Sequence, residues 1–148
     1  SEKFHIHSTG YITKPDTVNF LATASGNNVD IGSGGTFPFN TEEYDVGGNF
    51  NTSTYSFVAP VTGNYFIFYQ IYRNSSTSAE IAIYRNSDAI RRNKCQPNGG
   101  DFIFAQSTVV NMTAGQSLNL RSYNGAMDNF YGGSSSQRES HFGGYLLG

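Results

Sequence analysis

The sequence predicts an all-β protein, a jelly-roll sandwich of two antiparallel sheets, and three observations lead there. Short runs of alternating apolar and polar residues are separated by Gly, Asn and Ser, and no stretch carries a helical period. Aromatic residues make up 15% of the chain against 14% charged, a balance that favours ordered β-structure over disorder. Tyr65, Ile67 and Tyr69 alternate with Phe66 and Phe68, so one strand presents bulky groups to both faces and needs cover on both.

In chain order, strands are expected at residues 18–23, 35–39, 54–59, 64–72, 79–85, 102–111, 117–123 and 140–147. Each is a short run bounded by turn-forming residues, and regular spacing of this kind suits a two-sheet roll. Short extra strands fit near 29–31, Phe50 and 89–91. Pro60 ends the 54–59 run. Gly63, within Val61-Thr62-Gly63-Asn64, offers a turn where positive φ is cheap, so a hairpin is expected there. Lys14-Pro15-Asp16 is a turn signal before the first of these runs. At 148 residues one domain is expected, with an N-terminal extension over 1–17 and a head over 18–148.

Bulk properties narrow the function. A net charge of −2 gives no general attraction for nucleic acid or an anionic membrane, and no apolar run is long enough to cross a bilayer. The 17 glycines follow no Gly-X-Y period, so no collagen stalk is expected, and the start at Ser1 shows no signal peptide. There is no Gly-x-Ser-x-Gly elbow, phosphate loop or His-Glu-x-x-His, the lone Cys lacks an adjacent His partner, and two of the three histidines lie near the N-terminus. A binding protein is expected, not an enzyme.

Fixed spacing connects Phe39, Asp45, Phe50, Phe57, Gly63, Tyr65, Ile67 and Tyr69, and the chain closes on Ser140, Phe142, Gly144, Tyr145, Leu146 and Leu147. Both patterns resemble the signature of the complement C1q globular head and its tumour necrosis factor-like relatives, with Ile67 the one departure, in place of a Phe. The resemblance implies a homotrimer, with Phe66, Phe68, Tyr145 and Leu147 as candidate interface residues. It implies secretion, and among relatives the chain resembles the stalkless invertebrate C1q-domain lectins of innate immunity. Several relatives bind calcium, but the stretch before Phe102 reads Cys95-Gln96-Pro97-Asn98-Gly99-Gly100, with no dense run of carboxylates. No metal and no cofactor is therefore expected. Relatives often pair a cysteine near this place with one upstream. Cys95 is the only cysteine here, so no internal disulfide can form and an inert buried thiol is expected. His5 and His7 alternate as zinc ligands sometimes do, but no third ligand is evident.

Counting strand reversals sorts the loops by end. The 60–63 turn and the loops 91–101 and 124–139 are expected at an apex; the loops 74–78 and 111–115 fall at a base with both termini. Sequons beginning at Asn51, Asn74 and Asn111 are all expected at the base, which leaves the apex bare. The apical loops supply Arg91, Arg92, Asp101, Tyr123, Asn124, Asp128, Tyr131, Gln137 and Arg138 as candidate ligand-binding residues. Aromatic faces stack on sugar C–H groups, amides and carboxylates take hydroxyls, and arginines favour an acidic sugar such as sialic acid. A rival site at the base pairs Tyr72-Arg73 with Tyr84-Arg85, where a cross-strand ladder with snorkelling arginines is the plainer reading. The expected function is that of a pattern-recognition lectin that binds surface glycans. Two alternatives stay open: a cytokine-like or complement-like ligand for a protein receptor, and a trimeric tip on a surface or phage fibre.

Overall fold

The computed structural model describes residues 5–14, 16–96, 100–134 and 136–148, with the backbone alone at 12, 13 and 95. The Cys95 thiol, Pro15, and positions 97–99 of the predicted binding loop lie outside the described residues. Strands follow in the order β1 (His5–Ile6), β2 (Ile12–Thr13), β3 (Asn19–Thr23), β4 (Val29–Ile31), β5 (Thr41–Val46), β6 (Phe50–Asn51), β7 (Ser56–Val58) and β8 (Gly63–Asn74). The second half adds β9 (Ala79–Arg85), β10 (Asp88–Cys95), β11 (Asp101–Met112), β12 (Ser117–Ser122), β13 (Met127–Tyr131), β14 (Gly133–Ser134), β15 (Gln137–Arg138) and β16 (His141–Leu146). The described residues contain no helix.

Two antiparallel sheets stack as the sequence predicts. The larger runs β4-β13-β8-β16-β3-β5, with β11 paired along the whole of β8; the smaller runs β10-β9-β12-β7-β6. Both strand ends and both chain termini follow from the register. Asn74 pairs with Asp101, while Gly63 pairs with Met112 and the Asn64 amide donates to the Gly148 carbonyl at 2.9 Å. The Leu146 amide donates to Val18 at 2.9 Å, so the chain enters and leaves the head at the same end.

The core is aromatic, as the ladder requires. Phe20 stacks on Phe57 at 4.5 Å and on Phe50 at 5.3 Å, Phe39 meets Phe142 at 5.6 Å, and Phe57 meets Tyr65 at 5.5 Å. Tyr65, Ile67, Tyr69 and Ile71 are buried on the inner face of β8, and Phe66 and Phe68 are half-buried on its outer face. Asp45 earns its place by accepting the Phe50 amide at 2.6 Å, which fixes the bend between β5 and β6.

The structure corrects several expectations. No hairpin joins β7 to β8, because they lie in different sheets and the 60–63 segment crosses between layers. Gly63 does not have positive φ. A Cβ there would stand 2.9 Å from the Leu146 side chain and 3.1 Å from the Gly148 carbonyl, so close approach of the C-terminal strand requires the glycine. Residues 35–39 form a single bridge, Thr36 to Arg121, and not a strand. The polar edge strand β5 lies where no strand is expected, and β13, β14 and β15 occupy the expected 124–139 loop.

The sorting of loop ends is half overturned. The expected short strand at 89–91 is the eight-residue β10, which restores one missing reversal. The 74–78 loop therefore belongs with residues 96 and 100 and the 123–126 turn, and the 60–63 turn belongs with 113–116, Val18 and Gly148. Asn74 and Asn111 thus stand at opposite ends, and Asn51 heads a turn on the edge of the smaller sheet. The expected clustering of all three sequons at one end is wrong.

Candidate functional site

Each sheet has an outer face, and the two differ in chemistry. Register defines the face of the larger sheet row by row. Val109, Phe66, Tyr145 and Asn19 form one row across β11, β8, β16 and β3; Ser107, Phe68, Gly143 and Leu21 form the next; Ala105, Gln70, His141 and Thr23 follow. Phe66 lies 5.3 Å from Tyr145 and 6.2 Å from Phe68, and Phe68 meets His141 at 6.0 Å. Tyr145 is 41% exposed and Val109 46%, in an unbroken aromatic and aliphatic surface. Gly143 and Gly144 keep β16 tight against this strand, since a Cβ at Gly144 would stand 2.6 Å from Ile67. A depression of about 350 Å³ opens beside Phe68, lined by Leu21, Thr23, Glu43, Arg138 and His141. Burial holds the His141 imidazole below its ordinary pKa.

The loop end of this sheet carries two polar clusters. Tyr72 and Tyr131 meet edge to face at 5.3 Å. The Tyr72 phenol is pushed up to about 12 by its hydrogen bond to the Asp101 carboxylate, which also accepts from the Asn74 amide at 2.6 Å. On the inner side, Arg73 is wholly buried and pairs with Asp128. Its guanidinium also donates to the Thr77 carbonyl at 2.8 Å and the Thr77 hydroxyl at 2.9 Å, and Ser75 donates to Asp128 at 3.1 Å. Burial raises the Asp128 pKa, but its own amide, Ser75, Arg73 and Thr77 outweigh that and leave it below the ordinary carboxylate value. This network pins the 74–78 loop to β13.

The outer face of the smaller sheet is cationic and aromatic. Ala82 of β9 pairs with Arg92 of β10 on one side and Arg121 of β12 on the other. Two strand spacings, about 10 Å, separate the arginine backbones, with the wholly buried Ala82 between them. Arg92 lies over the Tyr123 ring at 4.8 Å, Arg121 over the Tyr84 ring at 4.6 Å, and the two rings are 6.5 Å apart. Arg121 is held from below, donating to Asn119 Oδ1 at 2.9 Å and to the Asn86 carbonyl at 3.2 Å; Asn119 in turn donates to Ser56 Oγ at 3.0 Å. The neighbouring Glu80 is occupied by Lys94 at 3.2 Å.

The nine candidate ligand residues therefore separate into six places. Arg92 and Tyr123 stack together on the smaller sheet. Asp101 and Tyr131 belong to the Tyr72 cluster, and Asp128 is engaged by Arg73. Arg138 pairs with Glu43 at 3.2 Å near the depression, with Gln137 beside it and exposed. Arg91 turns to the seam between the sheets, donating to Thr108 Oγ1 at 3.3 Å. Asn124 forms the exposed turn after β12 with φ of 57°. Tyr72-Arg73 and Tyr84-Arg85 do not form a joint clamp, because they lie on different sheets toward opposite ends. Arg121 and Tyr84 complete the aromatic–cation row, and Arg121 was missed. Its alternation with Leu118 and Leu120 places it on the outward side and was the available signal.

Residues 19–135 match the BclA C-terminal domain family. The chain belongs to that family. Its fold is C1q/TNF-like. The structure is similar to that of Eiger TNF from S. frugiperda, at 16% identity and a TM-score of 0.63, over 89% of this chain and 92% of that one. It is similar also to the globular domain of the zebrafish complement 1qA protein, at 15% identity and a TM-score of 0.61, over 90% and 98% respectively. No curated protein sequence matches the chain. The resemblance read from the aromatic ladder thus holds at the level of fold, and the family itself is the BclA C-terminal one.

Proposed function

We propose that the domain is an extracellular, multivalent recognition head, a homotrimer that binds surface glycans as a pattern-recognition lectin. The observation that carries the reading is the aromatic outer face of the larger sheet. Phe66, Phe68, Tyr145, Leu21 and Val109 form a patch that water covers in a single chain and that a second copy of the same face would bury. Three copies closed on that face leave the polar face of the smaller sheet pointing outward in triplicate. A single saccharide site is weak, roughly −4 to −8 kcal/mol, and three of them on one rigid body raise apparent affinity by about 10² to 10⁴. Among the described residues no helix is long and apolar enough to cross a membrane.

Sedimentation equilibrium tests the assembly, with three chain masses expected for the native protein and one for Phe68→Asp. A glycan array run with and without chelator tests the ligand, with saccharide-competed signal expected for sialylated or uronic glycans. An intact trimer with a blank array transfers the reading to a protein receptor, in the manner of a cytokine-like or complement-like ligand. One observation favours a second reading, a trimeric tip on a fibre. Val18 and Leu146 are hydrogen-bonded at one end, so three copies would present their N-terminal segments together to a single stem.

A further inference from the structure

The polar face of the smaller sheet specifies a ligand more closely than the glycan reading on which this inference rests. We propose that Arg92, Arg121, Tyr84 and Tyr123, side by side on this outer face, form a site for the carboxylate of an acidic sugar.

Charge comes first. The face carries two arginines without a carboxylate partner among the described residues, since the adjacent Glu80 is committed to Lys94 at 3.2 Å. That is a local excess of positive charge on a chain of net charge −2. Geometry comes second. Each guanidinium lies against a tyrosine ring, which leaves the Arg92 N–H groups and the Arg121 Nη1 to meet a planar carboxylate. Arg121 is fixed through Nε by Asn119 and through Nη2 by the Asn86 carbonyl, so little side-chain freedom is lost when a ligand arrives. Ala82 is wholly buried beneath them, so a ligand would meet the arginines and the rings and not the strand.

The choice of a saccharide over an acidic peptide rests on what this face lacks. A protein partner normally seats aliphatic or aromatic anchors in an apolar centre. Beside the two arginines stand Tyr84, Tyr123, Asn119, Lys94, Glu80 and Thr36, and none of these is a large aliphatic side chain. Phenol hydroxyls and flat guanidinium and ring surfaces suit a sugar's hydroxyls and C–H faces. The site also lies on the sheet opposite the apolar face, so it stays open in the proposed trimer.

Titration of ¹⁵N-labelled protein with 3′-sialyllactose, lactose and polyglutamate, followed by NMR, tests this. Sialyllactose is expected to shift the resonances of Tyr84, Arg92, Arg121 and Tyr123, and lactose is expected to leave them in place. Arg92→Gln and Arg121→Gln should each weaken sialyllactose roughly tenfold or more, Arg121→Lys less, and Arg138→Gln not at all. Sialyllactose that binds without moving these four residues, or that tolerates both Gln variants, overturns the site and leaves the glycan reading standing. An equal response to polyglutamate overturns the choice of a sugar. Array signal for neutral glycans alone overturns the carboxylate assignment, and a blank array removes the glycan reading itself.

Discussion

The two outer faces of the sandwich are built from the same strand geometry and end in opposite chemistries. On the larger sheet, register aligns Phe66, Phe68 and Tyr145 into an apolar patch that one chain leaves half-covered. On the smaller sheet, register aligns Arg92, Ala82 and Arg121 into a charged row whose tyrosines are already occupied by the arginines lying over them. In the proposed assembly the first face would gain by excluding water against other copies of the chain; the second would keep its charges hydrated until an anion arrives. The side chains opposite the buried ones thus decide what a sheet is for, while the buried ones decide only that it exists.

Replacing Phe68 or Tyr145 by Asp should break the comparison most visibly, collapsing the proposed trimer to single chains in sedimentation with far-UV circular dichroism unchanged. A third arginine sharpens the contrast between paired and unpaired cations. Asp128→Ala would leave the wholly buried Arg73 without its counter-charge and should cost about 3 kcal/mol in denaturant unfolding, the low end because Asp128 itself is half in water. Arg73→Met removes the buried charge along with its bonds and should cost less, about 1–2 kcal/mol. Equal losses for the two would show that shape, not charge, holds the 74–78 loop.

Acid should act on the apolar face before the polar one. The folded His141 holds its proton less tightly than the unfolded chain does, because burial lowers its pKa from 6.5. Stability therefore falls as pH drops through that ordinary value and levels off below the folded one. Thermal unfolding between pH 7.5 and 5 should show this decline, and His141→Gln should flatten it. Asp128 has a depressed pKa, so its contribution is full above the ordinary carboxylate range and is lost as pH falls through the folded value. The smallest stability effect belongs to Arg92→Gln: losing one exposed cation–π contact should cost no more than about 0.5–1 kcal/mol, in contrast to its effect on an anionic ligand.

Much of the fold was legible because buried strands write their period into the sequence. The run from Tyr65 to Tyr69 alternates as the structure alternates, and residues 79–85 and 29–31 were bounded as they stand. What escaped were strands whose outward residues are polar. Thr41-Glu42-Glu43-Tyr44-Asp45-Val46 is an edge strand with little to bury, and Asp88–Cys95 has a polar outward face, so only a short piece of it was anticipated. Missing that strand cost one reversal, and with it the correct end for Asn74 and for the 60–63 turn. The candidate site was legible in residue type, since Arg92 and Tyr123 were both singled out. It was not legible in grouping, because loop proximity had been used where cross-strand register brings partners together.

The shared exit of the chain from one end of the head has a practical consequence. Cargo grafted to the C-terminus, whether a dye, a bead or another protein, would crowd the pole where Val18 enters and leave the outward arginines and the far loops unobstructed. Immobilisation through a C-terminal tag would thus orient every molecule alike, loops uppermost.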